Sequence, residues 1–264
     1  MRVSSGAAVL VLAATLEASA ATAPPVPDFS GVYLRVGNLW FDPILDEPAQ
    51  PVQRLDVDHP NADDIWAGDS NNPILQPWAR EIVKRNADSE IALKHVYTAD
   101  DTCRPSGVPQ ALNLIGPLQI LQLKDHVVMI HERDQQVRRV WLNVGHAPNL
   151  KPSWYGESVG HYEGDTLVVD TIGVTDRTFV DYYRTPHTEQ IHVVERFKMV
   201  DGGKTLHVDV NVEDPGAFTM AWNAIQEWVR RDVGPHVENL CEPANEFFYG
   251  YDVAPLPKDE SPDF

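Results

Sequence analysis

Hydrophobic and polar positions follow two regimes along this chain. From about residue 115 onward, apolar residues recur at every second position, the period of a half-buried strand. The alternation predicts strands over 117–123, 126–132, 137–142, 167–171, 190–197 and 205–212. Polar turns separate several of them, at Lys124-Asp125, at Asp134-Gln135-Gln136 and at Asp201-Gly202-Gly203. The last of these is a good hairpin turn. Another strand opens early, at 29–34. Successive strands without intervening helices predict an antiparallel meander. About eight such strands most readily close into a barrel or pack as a sandwich.

The first regime has no such rhythm. Residues 37–75 carry Pro43, Pro48, Pro51, Pro60 and Pro73 among Asp-rich tracts and predict a long irregular excursion. Trp40, Phe41 and Trp66 are placed to pack it onto the body or to line a pocket mouth, packing being the commoner use. A helix is predicted over 76–90, with Pro77 in its first turn and Trp78, Ile82 and Arg85 on its inner face. The stretch 153–164 reads as a Gly-rich turn, and a second helix is expected near 222–231. With no repeat and no linker, residues 21–254 form one expected domain, followed by a disordered Pro- and acid-rich tail at 255–264.

Charge and processing signals narrow the setting. The formal net charge is −18, which opposes nucleic acid and anionic lipid as partners. Arg2 and the apolar run at 7–16 form a signal peptide over 1–20, too short to span a bilayer. Cleavage is expected after Ala20, or after Ala23. The product is periplasmic or secreted, with no later membrane insertion. In that compartment Cys103 and Cys241, the only cysteines, are expected to form a disulfide. The alternative is two buried thiols.

Candidate chemistry concentrates in 153–215. His187 and Glu189 are two residues apart, so an extended chain projects them from one face. They suit an acid–base pair, two ligands of a three-residue metal site, or a polar strand entrance. Glu132 and Glu195 each fall in an apolar row, so each needs a partner, with Arg138, Arg139 and Arg196 at hand. Asp170 belongs to the same argument. Trp154, Tyr155, His161 and Arg139 are candidate ligand contacts near a barrel rim, where the aromatics equally suit packing. Ser158 lies in a G-x-S-x-G string but lacks the strand before it and helix after it that a nucleophile elbow needs. No phosphate-binding loop, dinucleotide fingerprint or H-E-x-x-H is present, so no cofactor and no dedicated metal site is expected.

Six segments carry a family resemblance: CRPSGVP (103–109), GDTLVVDT (164–171), PHTE (186–189), ERF (195–197), EDP (213–215) and CEPAN (241–245). With the strand opening at 28–33, they make residues 28–250 resemble a large family of exported bacterial proteins. The resemblance implies a mainly β fold, a lipocalin-like (calycin) barrel with one or two short helices and a long N-terminal loop. In that family a His commonly follows the second cysteine. Glu242 stands there in this chain, which argues against a metal or catalytic His at that place. Three functions fit: a barrel binding a small, largely apolar molecule; an acid–base lyase, isomerase or hydrolase using His187 and Glu189; or a structural or interaction protein. Fold analogy does not choose among them.

Overall fold

A computed structural model describes residues 26–60, 65–231, 234, 237–239, 241 and 252–253. The expected signal peptide, with its cleavage alternatives, and the expected disordered tail lie outside the described residues. No helix among the described residues is long and apolar enough to cross a membrane.

The strands are β1 (Gly31–Val36), β2 (Asp42–Pro43), β3 (Lys94–His95), β4 (Leu118–Gln122), β5 (His126–His131), β6 (Gln136–Leu142), β7 (Glu157–Glu163), β8 (Thr166–Ile172), β9 (His192–Val200), β10 (Thr205–Glu213), β11 (Trp222–Arg230) and β12 (Asp252–Val253). Nine of them close a barrel in the order β1-β4-β5-β6-β7-β8-β9-β10-β11, sealed by β11 pairing back onto β1. The lipocalin-like barrel expected from the sequence is therefore the observed architecture. β2 extends β11, and β3 pairs with β12 outside the barrel.

One feature departs from a pure antiparallel meander. β6 and β7 run parallel, with Val140 opposite Ser158 and Leu142 opposite Gly160. An odd number of strands cannot alternate direction all the way round a closed ring, so one parallel pair is obligatory. The segment 143–156 supplies the crossover that a parallel pair requires.

Two other expectations are corrected. Residues 157–163 are a strand, not part of a turn, and 222–230 are a strand, not a helix. In β11, Trp222, Ala224, Gln226 and Trp228 all point inward. The Ala and the Gln in that row break the apolar alternation that would have announced it.

The interior is built from alternate residues. Val127, Met129, Val140, Val169, Phe197, Leu206, Val208, Val210 and Trp228 join one continuous core. Phe41 joins it from the irregular segment, and Trp40 and Trp66 pack against it. The helix α1 (Pro77–Ile91) buries Ala79, Val83, Asn86, Ala87 and Glu90, whereas Trp78 is exposed. The expected inner face of Trp78, Ile82 and Arg85 is thus the wrong one. Glu90 can be buried because Arg184 Nη2 lies 3.0 Å from its carboxylate, and Asn86 because it donates to the Arg184 carbonyl at 3.3 Å. Polar residues on the packed face hid that face from the hydrophobic pattern. Cys103 and Cys241 form the expected disulfide, with Cα atoms 5.4 Å apart.

Candidate functional site

Glu195 lies on β9 inside the barrel, with no accessible surface. Arg138 reaches it from β6 with both arms: Nη1 donates to Oε1 at 2.8 Å and Nη2 donates to Oε2. Arg138 Nε also donates to Ser158 Oγ at 3.1 Å, and Nη2 to Thr171 Oγ1 at 2.8 Å. Ser158 and Thr171 bond to each other at 2.9 Å. Every polar atom of the fork is thus occupied by protein. Ser158, the residue of the G-x-S-x-G string, serves this network from an inward position on β7.

His187 is buried just before β9. Its Nδ1–H donates to the Thr188 carbonyl at 2.9 Å, so the neutral ring keeps Nε2 free to accept from the Thr178 hydroxyl at 2.8 Å. Burial pulls its pKa below the ordinary histidine value, against opposing pulls from the Thr188 carbonyl, Asp214 and Asp176. Glu189 is exposed in the following turn. The nearer carboxylate is Asp214, which accepts from the Thr188 amide at 2.6 Å and its hydroxyl at 2.7 Å.

A pH dependence follows for His187. Above 6.5, the unperturbed value, the ring is neutral whether folded or unfolded. Below it, the unfolded ring takes up a proton before the folded one does. Stability therefore falls as pH drops below that value, until the folded ring also titrates. Asp181, which burial pushes up to about 6, acts in the opposite sense, gaining stability as pH falls through that value. The difference between the wild type and His187→Gln isolates the histidine. Urea unfolding at pH 7.5 and 5.5 should show the smaller acid loss in the variant; equal losses would refute the assignment.

The remaining sequence candidates are dispersed. Glu132, half-buried beyond β5, accepts from the Val237 amide at 3.2 Å. Tyr155 donates to Gln136 Oε1 at 2.6 Å, and burial raises its pKa. Trp154 lies beneath the Arg104 guanidinium, 5.9 Å from the ring centroid. His161 contacts Glu163 at 3.0 Å on the exposed outer wall, and Arg139 is also exposed.

Asp170 is different. It faces outward on β8, and its Oδ1 meets two imidazoles: His192 Nε2 at 2.9 Å and His146 Nε2 at 3.1 Å. The other nitrogen of His146 lies 3.0 Å from Glu157 Oε2, which also accepts from the Ala147 amide at 2.8 Å. The register explains the convergence. Val159 and Val194 flank Asp170 on β7 and β8's other neighbour, β9, so Glu157 and His192 are its diagonal neighbours two residues along. The crossover 143–156 lays His146 over them. At Gly156, with φ of +62°, a Cβ would collide with the Ile172 carbonyl oxygen. Only glycine lets the crossover enter β7 there.

Proton placement in this cluster follows from valence. An ionised carboxylate only accepts, so a ring nitrogen that hydrogen-bonds to one carries the proton. His192 donates from Nε2 to Asp170, which leaves Nδ1 without a partner among the described residues. Its side chain is 37% exposed, so that nitrogen is open to a solute. A carboxylate that fixes one histidine tautomer and leaves the opposite nitrogen basic is a general-base arrangement. Among the described residues no group of three or more His, Cys, Asp or Glu could hold a metal ion. No family model matches the chain, and no curated protein matches it.

Sequence reasoning did not single out His146, Glu157 or His192. Asp170 and His192 do both face outward on strands that were predicted. Their proximity became legible only with the β8–β9 register.

Proposed function

We propose that this is an exported barrel protein that performs acid–base chemistry on a small polar molecule at its outer wall, with His192 Nδ1 as the proton acceptor. The observation that carries this reading is the Asp170 carboxylate shared by His192 and His146. Asp170 orients His192 and stabilises the charge that forms there, and His146 shares the same carboxylate oxygen. Glu157 holds His146 in place. Export is supported by the disulfide, which persists in oxidising compartments. The reading of an apolar ligand inside the barrel draws less support. Val169, Glu195, Phe197, Val208 and Trp228 have no accessible surface, which leaves no water-sized space beside them in the middle of the barrel.

The test uses the purified full chain and two measurements. In neutral solution, diethyl pyrocarbonate followed by peptide mass mapping should modify His192 ahead of the buried His187. Incubation with a panel of small esters, lactones and enolisable ketones in heavy water, followed by NMR, reads hydrolysis or proton exchange. Any turnover found should fall about 10²–10⁴-fold in His192→Gln, the usual contribution of a positioned acid–base group. Turnover unchanged in that variant, or His192 unreactive while His187 is modified, would overturn the proposal.

A further inference from the structure

At one end of the barrel a group of buried polar atoms lacks partners. Arg35 on β1 lies opposite Trp228 on β11, with its guanidinium carbon 5.8 Å from the indole centroid. Arg35 Nη1 donates to the Leu112 carbonyl at 2.7 Å and to Asn113 Oδ1 at 3.1 Å, and Nη2 donates to the Trp40 carbonyl at 2.9 Å. Gln226 Nε2 donates to the same Asn113 oxygen at 2.9 Å and to the Trp40 carbonyl at 3.1 Å. These bonds fix which way both amides point. They leave Arg35 Nε, Asn113 Nδ2, Gln226 Oε1 and Trp228 Nε1 buried without partners. Gln110 begins the 3₁₀ turn Gln110–Asn113, and residues three apart in such a turn lie on one edge. It is fully buried, and neither of its amide atoms is hydrogen-bonded.

Two features give the cluster a chemical sense. Its unpartnered atoms are mostly donors. Its one cation, Arg35, donates only to carbonyl oxygens, and the Asp42 carboxylate acts on it through space without a hydrogen bond. Burying polar groups without partners is unfavourable, and a native fold that keeps several together has a reason for them. Surplus donors around a guanidinium complement a small anion with several lone pairs on few atoms, which describes a carboxylate. Trp40, whose carbonyl serves both Arg35 and Gln226, is half-buried and meets the half-buried Trp66 ring edge to face at 6.3 Å. Both belong to the irregular segment 37–75 rather than to a barrel strand.

We propose that Arg35, Gln110 and Asn113 form a binding site for a small carboxylate at this end of the barrel, closed in this structure behind Trp40 and Trp66. Displacement of those two indoles opens it. The site is separate from the outer cluster around Asp170 and stands independently of the function proposed for that cluster.

The test reads melting temperature and tryptophan fluorescence of the full chain with acetate and benzoate. Acetamide and sodium chloride at matched ionic strength are the controls. Both carboxylates should raise the melting temperature and change the fluorescence saturably, and the controls should not. Arg35→Gln should weaken the response at least tenfold. Gln110→Leu removes an orphaned amide without opening space, so it should melt at or above the wild-type temperature when no carboxylate is present and should respond at least tenfold more weakly to it. The proposal is overturned if the carboxylates act no more strongly than the controls. It is equally overturned if Gln110→Leu lowers the melting temperature of the carboxylate-free protein, since the amide would then have a structural role.

Discussion

Replacing Glu195 with Leu should lower the free energy of unfolding by about 3–5 kcal/mol, the usual consequence of leaving one buried ion uncompensated. Against a typical total of about 5–15 kcal/mol, that loss is a large fraction of the stability. The reason lies in the position of the pair. Glu195 has no accessible surface and Arg138 has 2%, so neither charge can turn to water when its partner is removed. Arg138→Met should cost a similar amount, because it strands the carboxylate. The double variant Arg138→Met with Glu195→Leu removes both charges and should regain most of the loss. Ser158 and Thr171 lose the guanidinium in it but keep their own 2.9 Å bond. Urea unfolding of the four proteins gives the coupling energy directly. If either single variant costs less than about 1 kcal/mol, a value typical of exposed ion pairs, the barrel interior is wetter than its packing implies. The same geometry argues against a catalytic role for Glu195, since both of its oxygens are already engaged by Arg138.

How much of this was readable from the chain depends on which contacts are local. Strands such as β5 and β10 announce themselves because their inward rows are apolar but for His131 at the end of β5, and short polar turns at Lys124-Asp125 and Asp201-Gly202-Gly203 precede them. Glu195 could be placed in an inward row, and Arg138 among its three possible partners, by alternation alone. β11 escaped because Gln226 and Ala224 occupy inward positions. β7 escaped because Gly156, Gly160 and Gly164 look like turn residues, although Gly160 lies within the strand. There a Cβ would come within 2.9 Å of both Val140 and the Val168 carbonyl, so glycine is needed for close packing rather than for a turn. The candidate site was less legible than the fold. Asp170 was singled out, but its partners arrive through strand register and through a crossover whose course no local pattern encodes. The pairing of His187 with Glu189 assumed an extended chain, whereas residues 188–191 turn and carry the carboxylate away.

Cys103→Ser should lower stability by about 2–5 kcal/mol, near the upper end for a single bridge, because the closed loop is long. The two cysteines are 138 residues apart, and the chain between them includes every barrel strand except β1. Cross-linking so long a loop acts chiefly on the unfolded chain, whose entropy it restricts. The folded barrel should therefore keep its near-ultraviolet circular dichroism in the variant. The unfolded state should expand, and the urea m-value should rise with it. Together these effects separate the bridge from the Arg138–Glu195 pair, whose loss destabilises the native interior and leaves the unfolded chain's dimensions unchanged. Treating the wild type with reductant should reproduce the variant's curve. If the midpoint and slope of the wild type are unaltered after complete reduction, the bridge contributes nothing to stability. Folding in a reducing compartment would then serve as well as folding after export, and the support that the disulfide lends to export would be lost.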